Sequence, residues 1–116
     1  MILVVDDEAR VRSVTVDLLR HEGYEVVEAE NGGTALEALK ANPDIELMLT
    51  DIMMPTGSGI SLGQRAAAAF PGLRVVYVSA YDESLGFRRS QLNGALLPKP
   101  YRARELLDTV ERALAG

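Results

Sequence analysis

Five side chains spread along the chain, Asp6, Asp7, Asp51, Ser79 and Lys99, are of the types that handle a phosphoryl group. Each stands at or just past the end of an apolar run. "ILVV" (2–5) leads into Asp6 and Asp7, "ELMLT" (46–50) into Asp51, "RVVYVS" (74–79) ends on Ser79, and "ALL" (95–97) precedes Pro98 and Lys99. A charge at the end of a buried strand is expensive unless water, a partner or a metal receives it. Two carboxylates about 4 Å apart repel by about 1 kcal/mol in water and about 4 kcal/mol at an effective dielectric of about 20, so three together call for positive charge. Lys99 supplies one, and an all-oxygen site with a few carboxylates and room for water suits Mg²⁺. A metal, an ammonium and a hydroxyl also match the oxygens of a transferring phosphoryl group, and a carboxylate can be the nucleophile. On this reading Asp51 is held at a strand end to attack phosphorus, and a change such as Asp7→Asn is expected to relieve repulsion in the metal-free protein.

The segments between these residues must bring them together. "ILVV" is a short continuous apolar run, the mark of a strand covered on both faces. From Arg10 to His21 the period lengthens, with Val11, Val14 and Leu18 at helical spacing and Gly23 as a stop. "EVVEA" (25–29) reads as a strand, "NGG" (31–33) as a turn and "TALEALKA" (34–41) as a helix halted before Pro43. "ELMLT" is a third strand ending at Asp51, Ser61 to Phe70 is alanine-rich and helical, and "RVVYVS" is a fourth strand. Asp82 to Leu92 reads as a weaker helix, because Gly86 inside it costs roughly 1 kcal/mol against Ala. "ALL" is a short fifth strand, and Leu106, Leu107, Val110 and Leu114 make the apolar stripe of a last helix. Strands alternating with helices specify an α/β domain with a mostly parallel sheet, since parallel neighbours need a crossover, and right-handed crossovers put helices on both faces. Ligands of such sheets gather beyond the carboxyl ends of the strands, where all five side chains fall.

"LVVDDE", "LTDIMMP", "VSAY" and "LLPKPY", in that order, resemble the CheY-like receiver domain of two-component response regulators over essentially the whole chain. The resemblance implies a flavodoxin-like (βα)5 doubly wound, five-stranded parallel sheet of order 2-1-3-4-5, with residues 1–116 as a single receiver domain. It implies that Asp51 is the phosphoacceptor, that Asp7 and Asp51 ligate Mg²⁺ with Asp6 acting largely through water, and that the backbone carbonyl of Met53 completes the protein ligands. Ser79 and Lys99 would contact the phosphoryl oxygens, and Lys99-Pro100 is where this family usually has a cis peptide. The donor would be a phosphohistidine on a sensor histidine kinase or phosphotransfer domain. The domain would catalyse only its own Mg²⁺-dependent phosphorylation and dephosphorylation, without being a metabolic enzyme, and self-association stays open. Two departures bear on the switch. "TGSG" (56–59) puts Gly57 and Ser58 where the family has an apolar and an acidic residue, which implies a more mobile loop. Leu96 stands three residues before Lys99, where the family has a Tyr or Phe switch, which implies a smaller shift on phosphorylation; Tyr81 is a candidate to lean over the site. The stretch from Ser79 to Lys99 resembles receivers attached to hybrid sensor kinases, and the expected setting is a stand-alone regulator or an excised receiver.

Composition supports this reading. A length of 116 residues suits one sizeable core, and 47% hydrophobic with 25% charged residues matches a soluble globular protein. No apolar stretch approaches membrane-spanning length and Met1 runs straight into a strand with no signal-peptide pattern, so the cytoplasm is the expected compartment and membrane insertion is not expected. Without cysteine there are no disulfides and no thiolate metal sites. A net charge of −5, with Lys40 and Lys99 the only lysines, argues against direct nucleic-acid binding.

Plainer roles accompany the site reading. An Asp-Asp pair also serves as a helix cap, Met53 and Met54 as packing and loop residues, and His21 as a helix C-terminal residue. "NGG" lacks the lysine of a Walker loop, and Arg104, Glu105, Asp108, Glu111 and Arg112 make a solvated face. A flavodoxin-like cofactor binder would want backbone donors and hydroxyls where this chain has acids. An unphosphorylated interaction module with a vestigial pocket would have no use for all five site positions.

Overall fold

The computed structural model describes residues 1–54, 57–79 and 92–116. In chain order the elements are β1 (Ile2–Val5), α1 (Ala9–His21), β2 (Val26–Ala29), α2 (Gly32–Ala41), β3 (Leu47–Asp51), β4 (Met53–Met54), β5 (Gly57–Ser58), α3 (Gly59–Ala69), β6 (Arg74–Ser79), β7 (Ala95–Pro98) and α4 (Ala103–Ala115). Five strands form one parallel sheet in the order β2-β1-β3-β6-β7, and β4 and β5 form a separate antiparallel ribbon. With the ribbon set aside, β6 and β7 are the fourth and fifth strands of the sheet, and the order is the expected 2-1-3-4-5.

The apolar runs are continuous because the sheet is covered on both sides. Alternate residues of β1 point to opposite faces: Leu3 and Val5 pack with Ala35 and Leu39 of α2 and Leu62 and Ala66 of α3, whereas Ile2 and Val4 pack with Val16 and Leu19 of α1 and Leu106 and Val110 of α4. Helices α2 and α3 therefore cover one face, α1 and α4 the other. No helix among the described residues is long and apolar enough to cross a membrane.

Several local expectations shift. Helix α2 starts at Gly32, inside the expected turn, because the Asn31 side chain accepts the Thr34 N–H at 2.9 Å while the Thr34 hydroxyl accepts the Asn31 N–H at 3.3 Å. Ser58 caps α3 by accepting the Ile60 N–H at 3.1 Å, so that helix begins at Gly59 rather than Ser61. The buried face of α1 is also rotated from the expected stripe: Thr15, Val16 and Leu19 are buried and Val14 is 61% exposed. A hydroxyl that finds a partner can be buried, and counting apolar residues overlooks it. The last helix keeps its stripe, with Leu106 and Val110 buried and the five charged residues of its outer face exposed. Tyr81 and all of the expected helix from Asp82 except Leu92 lie outside the described residues, and so does Thr56 of the "TGSG" loop.

Tyr77, in the middle of β6, ties the right half of the domain together. It is fully buried, its hydroxyl donates to Asn93 Oδ1, and Asn93 Nδ2 donates to the Gly63 carbonyl of α3 at 3.2 Å. Burial pushes the phenol up to about 12. Gly63 leaves room for this ring, because a Cβ there would overlap the Tyr77 hydroxyl and ring edge. Gly63→Ala should therefore lose about 1–3 kcal/mol in urea denaturation through overpacking. Adding Tyr77→Phe, which deletes the atom nearest the new methyl, should make the double variant more stable than the sum of the single losses; simple additivity would refute the clash.

Candidate functional site

Parallel strands in a shared register end at one edge. Val5 pairs with Thr50, Asp51 with Val78, and Ser79 with Pro98, so Asp6, Asp51, Ser79 and Lys99 all emerge at the carboxyl edge of the sheet. The ladder continues past the strand ends, with Ile52 N–H donating to the Val78 carbonyl at 3.0 Å and Lys99 N–H to the Ser79 carbonyl at 2.7 Å. The Lys99-Pro100 peptide is cis, as the resemblance implies.

Asp51 and Lys99 meet directly. Lys99 Nζ donates to Asp51 Oδ2 at 2.8 Å, and Asp51 Oδ1 accepts the Met53 N–H at 3.1 Å. With side-chain exposures of 13% for Asp51 and 28% for Lys99, the pair is screened less than an ordinary surface ion pair. Burial alone would lower the Lys99 ammonium, but the hydrogen bond and charge of Asp51, helped by Asp6, outweigh it and hold the group above its ordinary value. Gly59 packs its backbone against the other side of Asp51: its N–H donates to the Ile52 carbonyl at 2.8 Å, and a Cβ there would run into the Asp51 carbonyl.

The Ser79 hydroxyl is buried and finds no hydrogen-bond partner among the described residues.

The acid pair divides in two. Asp6 is buried and accepts the Glu8 N–H at 2.9 Å, whereas Asp7 is exposed. Burial pushes the Asp6 carboxyl up, the negative charges of Asp51 and Asp7 push the same way, and the Glu8 N–H and the Lys99 ammonium offset part of the rise. Asp6 and Asp51 thus share one ammonium, with Asp7 exposed beside them. Among the described residues no three acidic or histidine side chains converge closely enough to enclose a metal by themselves. The donor set still fits Mg²⁺, which keeps several waters and takes only one or two carboxylates, and the excess negative charge on Asp6 favours a hard cation.

The structure brings Asp6, Asp51, Ser79 and Lys99 to one edge and leaves Asp7 exposed beside it, and the sequence did not mark the residues that hold them. Arg12 Nη1 donates to the Asp6 carbonyl at 2.7 Å while its Nε pairs with Glu28 at 3.0 Å, which clamps the loop after β1 to β2. Gly59 lay within the quoted "TGSG", but only the fold shows that it faces Asp51.

A doubly wound sheet with two acids, a third acid, a hydroxyl and a lysine at its carboxyl edge defines a flavodoxin-like, CheY-like domain. The chain belongs to the response regulator receiver domain family, which matches residues 2–111. It is 33% identical over 121 residues to the response regulator receiver protein CpdR of Brucella abortus (strain 2308), covering 97% of this chain and 95% of that one. It is 36% identical over 115 residues to the DNA-binding transcriptional regulator NtrC of Azospirillum brasilense, covering 97% of this chain but only 24% of NtrC. Among solved structures, the receiver domain of the hybrid histidine kinase CckA superposes with a TM-score of 0.81 at 35% identity, covering 97% of each chain. Receiver domains are signalling modules of phosphorelays that carry an aspartyl phosphate and use Mg²⁺.

The burial and the repulsion from Asp51 and Asp7 fall on Asp6, so the larger relief is expected of a change at Asp6 itself. Its folded carboxyl keeps its proton to a higher pH than the ordinary value of 3.8, so its contribution favours the fold fully below 3.8 and is lost as pH rises through the folded value. Asp6→Asn, which can still accept the Glu8 N–H, should therefore melt higher than the parent in metal-free buffer at neutral pH. The gain should shrink as the buffer is taken down toward 3.8. Equal melting temperatures across that range would contradict the assignment.

Proposed function

We propose that this chain is the phosphoacceptor of a two-component phosphorelay, taking a phosphoryl group onto Asp51 from a phosphohistidine of a sensor kinase or phosphotransfer domain. The observation that carries the reading is the 2.8 Å Asp51–Lys99 pair, with the buried Ser79 hydroxyl, unpartnered among the described residues, at the end of the adjoining strand. In the transfer, a carboxylate oxygen of Asp51 bonds to phosphorus as the bond from phosphorus to the donor's imidazole nitrogen breaks, and that electron pair leaves with the imidazole. The Met53 N–H fixes the orientation of the attacking carboxylate. Lys99 turns its charge from Asp51 to the phosphoryl oxygens, and the Ser79 O–H donates to one of them.

Asp6, Asp7 and Asp51, with the Met53 carbonyl, are the residues that would hold Mg²⁺, Asp6 acting largely through water. Bound there, the ion supplies the positive charge needed where a phosphate dianion meets several carboxylates. Attack of water on the aspartyl phosphate returns the free carboxylate, so the domain acts only on itself. The reading takes residues 1–116 as one receiver unit working in the cytoplasm, where a kinase partner has ATP.

Incubation with a small-molecule phosphodonor, followed by intact-mass measurement, tests the assignment. The parent should gain one phosphoryl group in the presence of Mg²⁺ and none after chelation, and Asp51→Asn should gain none. Full modification of the Asn variant would refute the role of Asp51.

A further inference from the structure

Helix α1 touches the site at a point that neither the acids nor the lysine reveals. Thr15, in the middle of α1, is buried, and its hydroxyl lies 2.6 Å from that of Tyr101, with either atom able to donate. Tyr101 follows Lys99 by two residues and packs on the core that includes Val16 of α1 and Leu106 and Val110 of α4. Lys99 itself is anchored by its backbone N–H on the Ser79 carbonyl and by its ammonium on Asp51. Pro100 has no N–H to add. The first side-chain hydrogen bond after Lys99 in this loop is therefore the one from Tyr101 to α1. Val11, Val14, Thr15, Pro100 and Tyr101 join Lys99 in walling one shallow depression, so helix and loop run alongside each other.

A lysine ammonium is a point charge on a flexible stem, and where it can reach depends on where its backbone is held. A buried hydroxyl is costly without a partner, so Thr15 favours the one loop position that satisfies it. We infer that Thr15 and Tyr101 are a positioning pair that fixes the loop after β7 against α1 and so sets the reach of the Lys99 ammonium to a phosphoryl group on Asp51. This rests on the phosphoacceptor reading above.

The test is the second-order rate constant for phosphorylation by acetyl phosphate at saturating Mg²⁺, measured for the parent, Thr15→Val, Thr15→Ser, Tyr101→Phe and the Thr15→Val/Tyr101→Phe double variant. Misplacing a catalytic group can cost on the order of a hundredfold, and the loss of this one tether should slow each single variant about tenfold. The double variant should be no slower than either single one, because both remove the same bond. Thr15→Ser, which restores the hydroxyl, should react at the parental rate. Melting curves with and without Mg²⁺ should show parental stabilisation by the metal in every variant, since the pair acts on the lysine and not on the acids. A parental rate for Tyr101→Phe, losses that multiply in the double variant, or lost stabilisation by Mg²⁺ would each overturn the inference. If Thr15→Val fails to fold, Tyr101→Phe decides alone. A parent that is not phosphorylated on Asp51 defeats the phosphoacceptor reading, and this inference with it, which is distinct from a parent that reacts alongside unaffected variants.

Discussion

Asp51 and Lys99 form their ion pair across a strand that belongs to neither. Asp51 ends β3, Lys99 follows β7, and β6 lies between them. Neighbouring strands are about 4.8 Å apart, so the two backbones stand about two spacings from each other and only a long side chain closes the gap. The 2.8 Å contact therefore depends on the register of three strands and on the ladder bonds that extend it, Ile52 to Val78 and Lys99 to Ser79. A slip of one residue in either pairing would turn every side chain of the slipped strand to the opposite face. Fitted packing opposes that slip, because both faces of β1, β3 and β6 are buried under helices and a flipped side chain would meet the wrong neighbours. Packing far from the site is what holds its charges at bonding distance.

The same edge is where the domain gives up stability. Asp6 is a buried acid whose ionisation is opposed by burial and by neighbouring carboxylates, and Ser79 is a buried hydroxyl without a partner among the described residues. Neither is needed to complete the sheet. On the proposed phosphoacceptor reading both are preparation for ligands that bring charge and acceptors: a cation for the acids, phosphoryl oxygens for the hydroxyl and the ammonium. The clamps around the edge limit the damage. Arg12 ties the loop after β1 to β2, Gly59 lets α3 start directly against Asp51, and Thr15 meets the loop after β7.

How much of this could be read from the chain follows from which forces leave a local pattern. The strands were legible because burial on both faces writes unbroken apolar runs: "ILVV" matches β1 and "RVVYVS" matches β6 residue for residue. The five chemical groups were legible because each closes such a run. The start of α2 was misread because Gly32 and Gly33 signal a turn more loudly than the Asn31–Thr34 cap signals a helix. The ribbon of β4 and β5 is two residues long on each side, too short to show any periodicity. Ser58, a departure from the family pattern, pairs with Met53 in that ribbon and caps α3. Contacts such as Thr15 with Tyr101, or Arg12 with the Asp6 carbonyl, join residues whose meeting depends on the finished fold, and nothing in their neighbourhoods announces them.

Leu96 shows how a single departure is absorbed. In the family pattern an aromatic side chain at this place on the fifth strand turns inward when the hydroxyl residue of the fourth strand moves toward the phosphoryl group. Here the residue is leucine, and its register partner on β6 is Tyr77. The large ring thus sits one strand further in, buried, bonded through Asn93 to the Gly63 carbonyl and with no free space at Gly63. A ring held in this way packs the face under α3 and is not available to swing. Among the described residues the backbone ladder joins Ser79 to the loop of Lys99, because the Ser79 carbonyl holds the Lys99 N–H. If Asp51 carries a phosphoryl group as proposed, movement of Ser79 toward it would draw on the peptide that positions Lys99, whose ammonium already meets the Asp51 carboxylate. On the proposed phosphoacceptor reading, the backbone bond between Ser79 and Lys99 couples the hydroxyl and the ammonium, and a phosphoryl group on Asp51 would act first along the carboxyl edge of β6 and β7.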